Sequence, residues 1–505
     1  KGTLIMLIFL TYIIKFILSM IFHQKIYTYL FRLHCDLSES LLNCYIQKDY
    51  NFFFLNNSSK LTRNIYSEVG IFSYQIVIAV INIFVDFLLL ISLVTLLLFN
   101  NFESTFIVII FLFISYLIYY YFSRPILSKW GKIMIGQKYY LQKDLKEIFN
   151  SIKEIKIFNK ENFFLKRFNI NLFKYSSTSR NEKVLSHFPK YLFEFLIITS
   201  FIFLIYWYDF QNYDQQKKFI GLTLFATASL RILPSISRLA LHIQSLLVYK
   251  PSLKVLHNEI ASIQIKKEIE EIKNFDFNDK ITFKDVDFSY NDQKKILSNL
   301  NFSFDKNKLI GVLGVSGSGK STLADLICTL IKPDRGEILI DNKYNINDKD
   351  FQRSWMKKIG YVSQKFYMLD TSIEENILYG SEKNNKDLYD NILKDCQLTG
   401  VLKKLKDGDK TLIGENGIKL SGGEIQRLAI ARVLYKKPEL IIFDESLNSL
   451  DSENEIKIID ILHKIKKERC IIVISHKETT INQCDQAFNV KEGNVLRIKK
   501  NYIQP

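Results

Sequence analysis

The sequence predicts an all-α membrane domain followed by an α/β domain, and three observations along its 505 residues support this division. Before about residue 260, long apolar runs alternate with basic segments. After residue 280, short apolar strands alternate with turns and amphipathic helices, which is the pattern of an α/β fold. The glycine-rich segment 314–322 follows one such strand and precedes a helix. We therefore expect domains at 1–260 and 280–505, joined by a linker at 261–279.

Five apolar runs are candidate membrane-spanning helices, because a helix needs about 20 apolar residues to cross the hydrocarbon core. They cover residues 4–22, 71–99, 106–122, 188–208 and 219–248. The link 100–105 lacks Lys and Arg, whereas the segment 123–183 is densely basic. The positive-inside rule therefore places the first outside and the second in the cytoplasm, and the segment after the last span is then cytoplasmic too.

The odd number of spans bears on the N-terminus. Five crossings that end in the cytoplasm begin outside, yet the first run lacks the short apolar core and the small-residue cleavage site of a signal peptide. We therefore expect a six-span protein whose first span precedes Lys1.

The net charge of +16 does not by itself indicate a nucleic-acid partner, and we expect none. Lys and Arg are concentrated between the apolar spans, as on the cytoplasmic side of a membrane protein. The six cysteines form no C-x-x-C pair and no zinc-type spacing with His, so we expect reduced thiols.

Two aromatic-rich segments, 50–55 and 157–164, are predicted at the far ends of cytoplasmic helical hairpins. One interpretation is that they are coupling elements resting on the α/β domain. The other is that they are simple helix turns in an aromatic-rich chain, and the sequence favours neither.

Residues 314–322 fit the pattern G-x-x-x-x-G-K-[ST], which between a strand and a helix is a strong signal for a phosphate site. Its glycines let successive backbone N–H groups point inward, and the following helix adds its positive end. Lys320 is expected to reach the β- and γ-phosphates, and Ser321 to hold Mg²⁺. The other nucleotide contacts of this loop are assigned to Gly314, Ser316, Gly317, Ser318, Gly319 and Thr322.

A buried strand at 439–443 ends in two adjacent acids, Asp444 and Glu445. Ligands of parallel sheets sit at the carboxyl ends of the strands, so Asp444 can support Mg²⁺ and Glu445 can orient or polarise an attacking water. The alternative is that both acids only cap the next helix. Upstream, Ser421 and Gly423 can offer a hydroxyl and a backbone N–H to phosphate at a helix N-terminus.

The order of these motifs resembles that of the nucleotide-binding domain of ABC transporters, over the full length of residues 280–505. The matching positions are the A-loop aromatic Tyr290, the Walker A segment 314–322, the Q-loop Gln364, the signature 420–424 with Ser421, Gly422 and Gly423, the Walker B segment 440–444, the catalytic Glu445, the D-loop Asp451 and the switch histidine His476.

The resemblance implies ATP and Mg²⁺ as cofactors and a mechanism that needs two chains. Two such domains close head to tail, so that Ser421 and Gly423 act on ATP held by the partner. Gln364 would link Mg²⁺ and the attacking water to the membrane domain, and His476 would contact the γ-phosphate. Because Glu445 and His476 are both present, a hydrolysing transporter is favoured over an ATP-gated regulator. A homodimer is preferred, and a heterodimer with another half-transporter stays open.

The membrane half is similar to that of half-size exporters with long intracellular hairpins. Residues 411–417 also resemble the T-x-x-G-E-x-G segment of exporters. This similarity implies export, or flipping between leaflets, at a bacterial-type inner (plasma) membrane with the ATPase domain in the cytoplasm.

The last span carries Arg231 and Arg238, seven residues apart and so on one helix face. Arginines inside a membrane usually face a polar cavity, and these two could bind a phosphate or pyrophosphate headgroup. The alternatives are an ion pair with Glu194 or Asp86, or snorkelling to the inner interface. This stretch, with residues 153–156, resembles the lipid-linked oligosaccharide flippases, which implies a lipid-linked or otherwise amphiphilic substrate taken from membrane lipid.

Overall fold

The computed structural model describes two compact units, a helical one followed by an α/β one. The predicted fold class is therefore confirmed, and each unit is described by itself. The described residues are 2–100, 102–211, 214–261, 275–290, 295–364, 366–381, 385–447 and 452–498.

Five long helices make up most of the first unit, and each is long and apolar enough to cross a membrane. In chain order the helices are α1 (Gly2–Ile46), the short α2 (Tyr50–Leu55), a continuous rod of α3 (Ser58–Arg63), α4 (Val69–Ile71) and α5 (Ile78–Asn100), then α6 (Phe102–Asn150), the short α7 (Ile152–Ile157), α8 (Glu161–Phe210) and α9 (Gln215–Ala261). Two π-helical segments, Asn64–Glu68 and Phe72–Val77, separate the parts of the rod.

Each predicted span lies inside one of these long helices, but the helices continue well beyond the apolar runs. The 50 residues of α8 measure about 75 Å at 1.5 Å per residue, more than twice the roughly 30 Å hydrocarbon core. The aromatic-rich segment 50–55 is α2 itself. The other, 157–164, covers the end of α7, a turn and the start of α8.

Close packing joins α6 to α9 at a crossing in the C-terminal half of each helix. A Cβ atom added to Gly131 of α6 would lie 2.0 Å from the carbonyl oxygen of Val248 on α9, so only glycine allows this approach. Nearby, Phe193 and Leu196 of α8 are buried in one cluster with Ala240 of α9. The bundle is therefore held by a small residue at the crossing and by large apolar side chains around it.

A polar network joins α1, the rod and α9 beyond the apolar runs. The Tyr45 hydroxyl donates to Glu259 Oε2 at 2.9 Å, and Asn64 Nδ2 donates to Glu259 Oε1 at 3.1 Å and to the Tyr45 hydroxyl at 3.2 Å. Asn64 is completely buried. Buried polar groups without partners are costly, so this network ties together the same three elements that the apolar cluster of Leu41, Val69 and Leu256 joins.

The second unit is built on two sheets. Their strands are β1 (Lys280–Phe288), β2 (Leu297–Asp305), β3 (Leu309–Leu313), β4 (Arg335–Ile340), β5 (Tyr344–Asn345), β6 (Ile359–Val362), β7 (Leu440–Asp444), β8 (Cys470–Ile474), β9 (Gln486–Lys491) and β10 (Asn494–Ile498). The antiparallel sheet has the order β2-β1-β4-β5. The larger sheet has the order β10-β9-β3-β8-β7-β6, and all its pairs except β9 with β10 are parallel.

Helices cover the larger sheet on both faces, and the strand sequences show this directly. The helices are α10 (Lys320–Ile327), α11 (Lys349–Lys358), α12 (Ile373–Leu378), α13 (Lys386–Asp395), α14 (Thr399–Lys404), α15 (Gly422–Tyr435), α16 (Ser452–Ile465) and α17 (Glu478–Asn482). In β7, Leu440 and Ile442 enter one apolar cluster, whereas Ile441 and Phe443 enter another. A strand that is buried on both faces reads as an unbroken apolar run.

The predicted linker lies mostly outside the described residues, which resume at 275. Phe275 and Phe277 of that stretch are buried in the α/β unit, where both rings contact the Trp355 ring. The end of the predicted linker is therefore packed into the second core.

Candidate functional site

The glycine-rich loop connects β3 to α10 and forms a tight backbone cradle. Gly319 has a φ of 105° and Gly317 a φ of 77°, in the left-handed region that favours glycine. A Cβ atom on Gly314 would lie 2.6 Å from Ser318 Oγ and 2.7 Å from the Val490 carbonyl oxygen. Ser318 Oγ is buried and has no hydrogen-bond partner in the described part of the chain. A curled loop with an unused buried hydroxyl fits an anionic ligand.

Lys320 lies at the start of α10 with its side chain folded against the loop. Its Nζ donates to the carbonyl oxygens of Gly314 and Val315, both at 2.9 Å, and lies 3.7 Å from Glu445 Oε1. The side chain is only 4% exposed. A buried ammonium held by two neutral carbonyls, with one carboxylate 3.7 Å away, is well placed to bind further negative charge.

The two acids at the end of β7 each accept a hydrogen bond from the segment that begins with β6. The Tyr361 hydroxyl donates to Asp444 Oδ2 at 2.8 Å, and Gln364 Nε2 donates to Glu445 Oε2 at 3.2 Å. Ser321 Oγ lies 3.4 Å from the other oxygen of Asp444, Oδ1. Hydroxyl and carboxylate oxygens are the ligands that Mg²⁺ prefers, so this corner suits that ion.

Burial dominates the electrostatics around Asp444. Burial raises the pKa of Asp444 above its usual value, although hydrogen bonds from Tyr361 and Ser321 oppose the rise. Burial, and after it the Asp444 carboxylate, raises the pKa of Asp325 to about 6. The same two causes raise the pKa of the Tyr361 hydroxyl far above its usual range, so it stays protonated and donates. Negative charge at this corner is costly without a cation, which favours cation binding.

Glu445 and His476 follow neighbouring strands at this edge of the sheet. Glu445 has a left-handed backbone (φ 51°), and its N–H donates to the Ile474 carbonyl oxygen at 3.0 Å. The N–H of Ser475, beside His476, donates to the Val312 carbonyl oxygen in β3 at 3.1 Å. The histidine is exposed and two residues beyond β8, so it lies on the same edge as the glycine-rich loop.

The other predicted nucleotide contacts differ in how the structure describes them. The Tyr290 ring is 47% exposed just after β1, and its hydroxyl lies 3.4 Å from Thr322 Oγ1. Phe288 packs edge-on against this ring and orients it. Ser316 is exposed on the loop. Asp451 lies outside the described residues.

Ser421, Gly422 and Gly423 open α15 away from that loop. Glu424 Oε2 accepts hydrogen bonds from Ser421 N and Oγ, both at 2.8 Å, which completes a capping box. In the described part of the chain, no hydrogen bond or ion pair joins 421–423 to 314–322. The structure therefore brings together the loop, the acids and Gln364, but not the signature residues.

Two residues of this site were not recognised as such in the sequence, Tyr361 and Asp325. Tyr361 precedes Gln364 by three residues, and Asp325 follows Ser321 by one helical turn, so each shares a segment with an assigned residue. The missing information was the strand order, because only pairing of β6 with β7 brings Tyr361 to Asp444.

In the membrane unit, Arg238 pairs with Asp86, which is one of the alternatives the sequence left open. Arg238 Nη2 lies 2.7 Å from Asp86 Oδ1, and its Nε donates to the same oxygen at 3.2 Å. The Asp86 side chain is 5% exposed and the Arg238 side chain 51%. Arg231 and Glu194 are exposed, and neither side chain has a polar partner in the described part of the chain.

Comparisons with known proteins agree with this geometry. The sequence profile of the ABC transporter family matches residues 297–448. A Rickettsia typhi protein named as an export ATP-binding/permease protein is 29% identical over 430 residues, covering 82% of this chain and 72% of the relative. An ATP-dependent lipid A-core flippase of Pasteurella multocida is 36% identical over 239 residues, covering 47% of this chain and 40% of the flippase.

The structure of a bacterial Atm1-family ABC exporter with ATP bound has the same fold. Its TM-score is 0.79 at 21% sequence identity, over 93% of this chain and 82% of that one. Both the helical unit and the α/β unit fall within this match. The chain thus carries an ABC transporter ATPase domain after a helical domain with five helices long enough to span a membrane, and it is similar over most of its length to proteins named as exporters.

Proposed function

We propose that this chain hydrolyses Mg²⁺-bound ATP and uses the energy to export or flip an amphiphile with an anionic headgroup, a lipid-linked oligosaccharide diphosphate being the preferred substrate. One observation carries the ATPase proposal. Two adjacent acids beside the glycine-rich loop, Asp444 and Glu445, each accept a hydrogen bond from the segment that begins with β6. The alternative is an exporter of other lipids, drugs or peptides that is driven by the same ATPase domain.

In the proposed mechanism, Lys320 exchanges its two carbonyl partners for oxygens of the β- and γ-phosphates, and the N–H groups of the loop hold the same phosphates. Tyr290 supplies an exposed ring for the adenine. Ser321, Asp444 and Gln364 would hold Mg²⁺, with Asp444 acting through water, and the bound ion would supply charge neutralisation at the transferred phosphoryl group.

The remaining steps belong to two side chains at the sheet edge. Glu445, whose backbone N–H is bonded to β8 and whose carboxylate accepts from Gln364, orients the attacking water and accepts its proton. His476, two residues beyond β8, donates to the phosphoryl oxygens. Both groups act by position and charge, which is what phosphoryl transfer requires.

We further propose that the working unit is a homodimer in a bacterial-type inner membrane. Among the described residues, no hydrogen bond or ion pair joins residues 421–423 to this chain's own loop, which supports their action on ATP held by a second copy. Asp451 is assigned to the same interface. Disulfide cross-linking between cysteines introduced at Ser316 and Gly422 should join two chains in the presence of ATP. Cross-links confined to single chains would contradict the dimer.

The substrate proposal starts from the exposed face of α9. Thr223, Thr227, Arg231 and Arg238 are all exposed and follow one another at intervals of four, four and seven residues, which places them on one helix face. Charged side chains within a membrane span usually face a polar cavity or pathway. Arg238 stays half-exposed despite its bond to Asp86, and the exposed guanidinium of Arg231 has no polar partner among the described residues, so this face suits an anionic headgroup.

The opposite side of α9 supports a substrate with a hydrocarbon portion. It borders a cavity of about 320 Å³ between α5, α6, α8 and α9, lined almost entirely by apolar side chains. An engineered apolar cavity of about 150 Å³ stays dry and admits benzene, so a larger one of this kind suits an alkyl or isoprenoid chain. Contributing residues include Leu90, Leu97, Val108, Phe193 and Ile232.

The decisive experiment measures ATPase activity in nanodiscs with polyprenyl-diphosphate oligosaccharide, phospholipid or drugs added separately. Stimulation by the first and its loss in Arg231→Ala would support the proposal. Thr227→Ala, on the same face but uncharged, is the matched control. No response to the lipid-linked saccharide, with a response to drugs or phospholipid, would reject the flippase assignment and leave the alternative exporter.

A further inference from the structure

Tyr361 occupies a position that none of the assigned roles explains. It lies in β6, which pairs in parallel with β7, so that Tyr361 is opposite Ile442 and two residues before the level of Asp444. Its hydroxyl crosses to the end of the neighbouring strand and donates to Asp444 Oδ2 at 2.8 Å. Three residues later, Gln364 donates to Glu445. One short segment thus holds both acids.

The hydrogen bond from Tyr361 occupies one carboxylate oxygen of Asp444 and leaves the other available to a cation. Oδ2 accepts from the tyrosine, whereas Oδ1 faces Ser321 Oγ at 3.4 Å. Ser321 is the hydroxyl that the glycine-rich loop offers to a cation. The carboxylate is therefore anchored at one oxygen and presents the other to the metal side of the site.

The surroundings of Asp444 offer little else to fix this orientation. Asp444 is only 7% exposed, so water replaces lost bonds poorly. The hydroxyl of Tyr361 is consequently the strongest donor that Asp444 has among the described residues, since the contact with Ser321 is longer.

We propose that Tyr361 is a positioning residue for ATP hydrolysis, whose hydroxyl orients Asp444 toward the Mg²⁺ that accompanies ATP. The inference rests on the proposed role of Asp444 and is independent of the transported substrate. Hydrogen-bond partners of groups that support a metal typically contribute about 10- to 100-fold to metal affinity or activity. The loss should therefore appear in the Mg²⁺ dependence before it appears in nucleotide binding.

The test is Tyr361→Phe in the full-length chain, which removes one oxygen atom and keeps the ring. The Mg²⁺ concentration for half-maximal ATPase activity should rise roughly tenfold. In the presence of ATP, Mn²⁺ binding followed by electron paramagnetic resonance should weaken by a similar factor. Binding of a fluorescent ATP analogue in EDTA should stay unchanged, since no metal takes part in it.

Tyr389→Phe is the matched control. Tyr389 is a buried tyrosine of the same domain whose hydroxyl also donates to an aspartate, Asp409, at 3.3 Å, but away from the glycine-rich loop. It should leave the Mg²⁺ dependence unchanged. Thermal unfolding of both variants shows whether either loses its fold, and in a folded Asp444→Asn background Tyr361→Phe should weaken Mn²⁺ binding no further.

Two results would overturn the inference. One is an unchanged Mg²⁺ and Mn²⁺ dependence in Tyr361→Phe. The other is an equal shift in Tyr361→Phe and Tyr389→Phe, which would reveal a general loss of stability. If Asp444→Asn and Glu445→Gln instead retained full turnover, the proposed ATPase roles would fail, whatever Tyr361→Phe did.

Discussion

The ATPase domain and the membrane domain each bury an aspartate, and the two carboxylates have different partners. Asp444 accepts hydrogen bonds from neutral hydroxyls, and among the described residues no cation forms a salt bridge with it, although Lys320 favours its charged form from a greater distance. Asp86 is balanced by the guanidinium of Arg238. A buried acid with neutral donors suits a cation that arrives with the nucleotide, whereas a buried acid with an arginine is already neutralised. The nature of the group bonded to the carboxylate, more than its burial, therefore distinguishes a candidate cation site from a structural ion pair.

The largest expected effect comes from Glu445→Gln, which tests the ATPase side of this comparison. Loss of a general base typically costs about 10²- to 10⁴-fold in rate, and ATP binding should persist because Glu445 is not part of the glycine-rich loop. Steady-state ATPase assays and fluorescent-nucleotide titration measure the two quantities. Glu439→Gln, at the other end of β7, is the control, and turnover that survives in Glu445→Gln would remove the proposed base.

The same substitution made in both domains sharpens the comparison. Asp444→Asn should lower Mg²⁺-dependent turnover by roughly 10- to 100-fold with the fold retained. Asp86→Asn should leave basal turnover nearly unchanged but reduce stability by about 1–3 kcal/mol, because it leaves Arg238 without its carboxylate. ATPase assays and thermal unfolding in detergent distinguish these outcomes. Equal losses of turnover in the two variants would contradict the distinction.

A smaller effect, confined to the membrane domain, is expected at the crossing of α6 and α9. Gly131→Ala forces a methyl group against the Val248 carbonyl and should destabilise the protein by about 1–3 kcal/mol. Gly136→Ala on the same helix meets no atom within 4 Å and should be neutral or stabilising by up to about 1 kcal/mol. Thermal unfolding compares the two variants. Equal changes in unfolding temperature would show that α6 and α9 are packed less closely at Gly131 than the structure indicates.

The two domains also differ in how far the sequence predicted them. In the ATPase domain, local patterns specify local geometry: the glycine-rich loop needs left-handed glycines, and the strand before Asp444 is apolar because both faces are covered. The contact from Tyr361 to Asp444 was missed because it depends on strand order, and no local pattern encodes which strands are neighbours.

In the membrane domain, apolar length predicted the spans but not where the helices end. The helices continue past the apolar runs because contacts such as the Tyr45–Asn64–Glu259 network join residues about 200 positions apart. The partner of Arg238 was similarly undecided, since Asp86 lies 152 residues away and Glu194 was an equal candidate from sequence. Polar contacts between distant helices are a product of packing, which a pattern of residue types leaves open.

The two hydrogen bonds from the β6 segment bear on when the site can hydrolyse ATP. Tyr361 and Gln364 bind the acid proposed for the cation and the acid proposed for the attacking water from one short stretch of backbone. Under the proposed roles, a displacement of this stretch would disturb cation support and water alignment together, so that a partly assembled centre would not hydrolyse ATP.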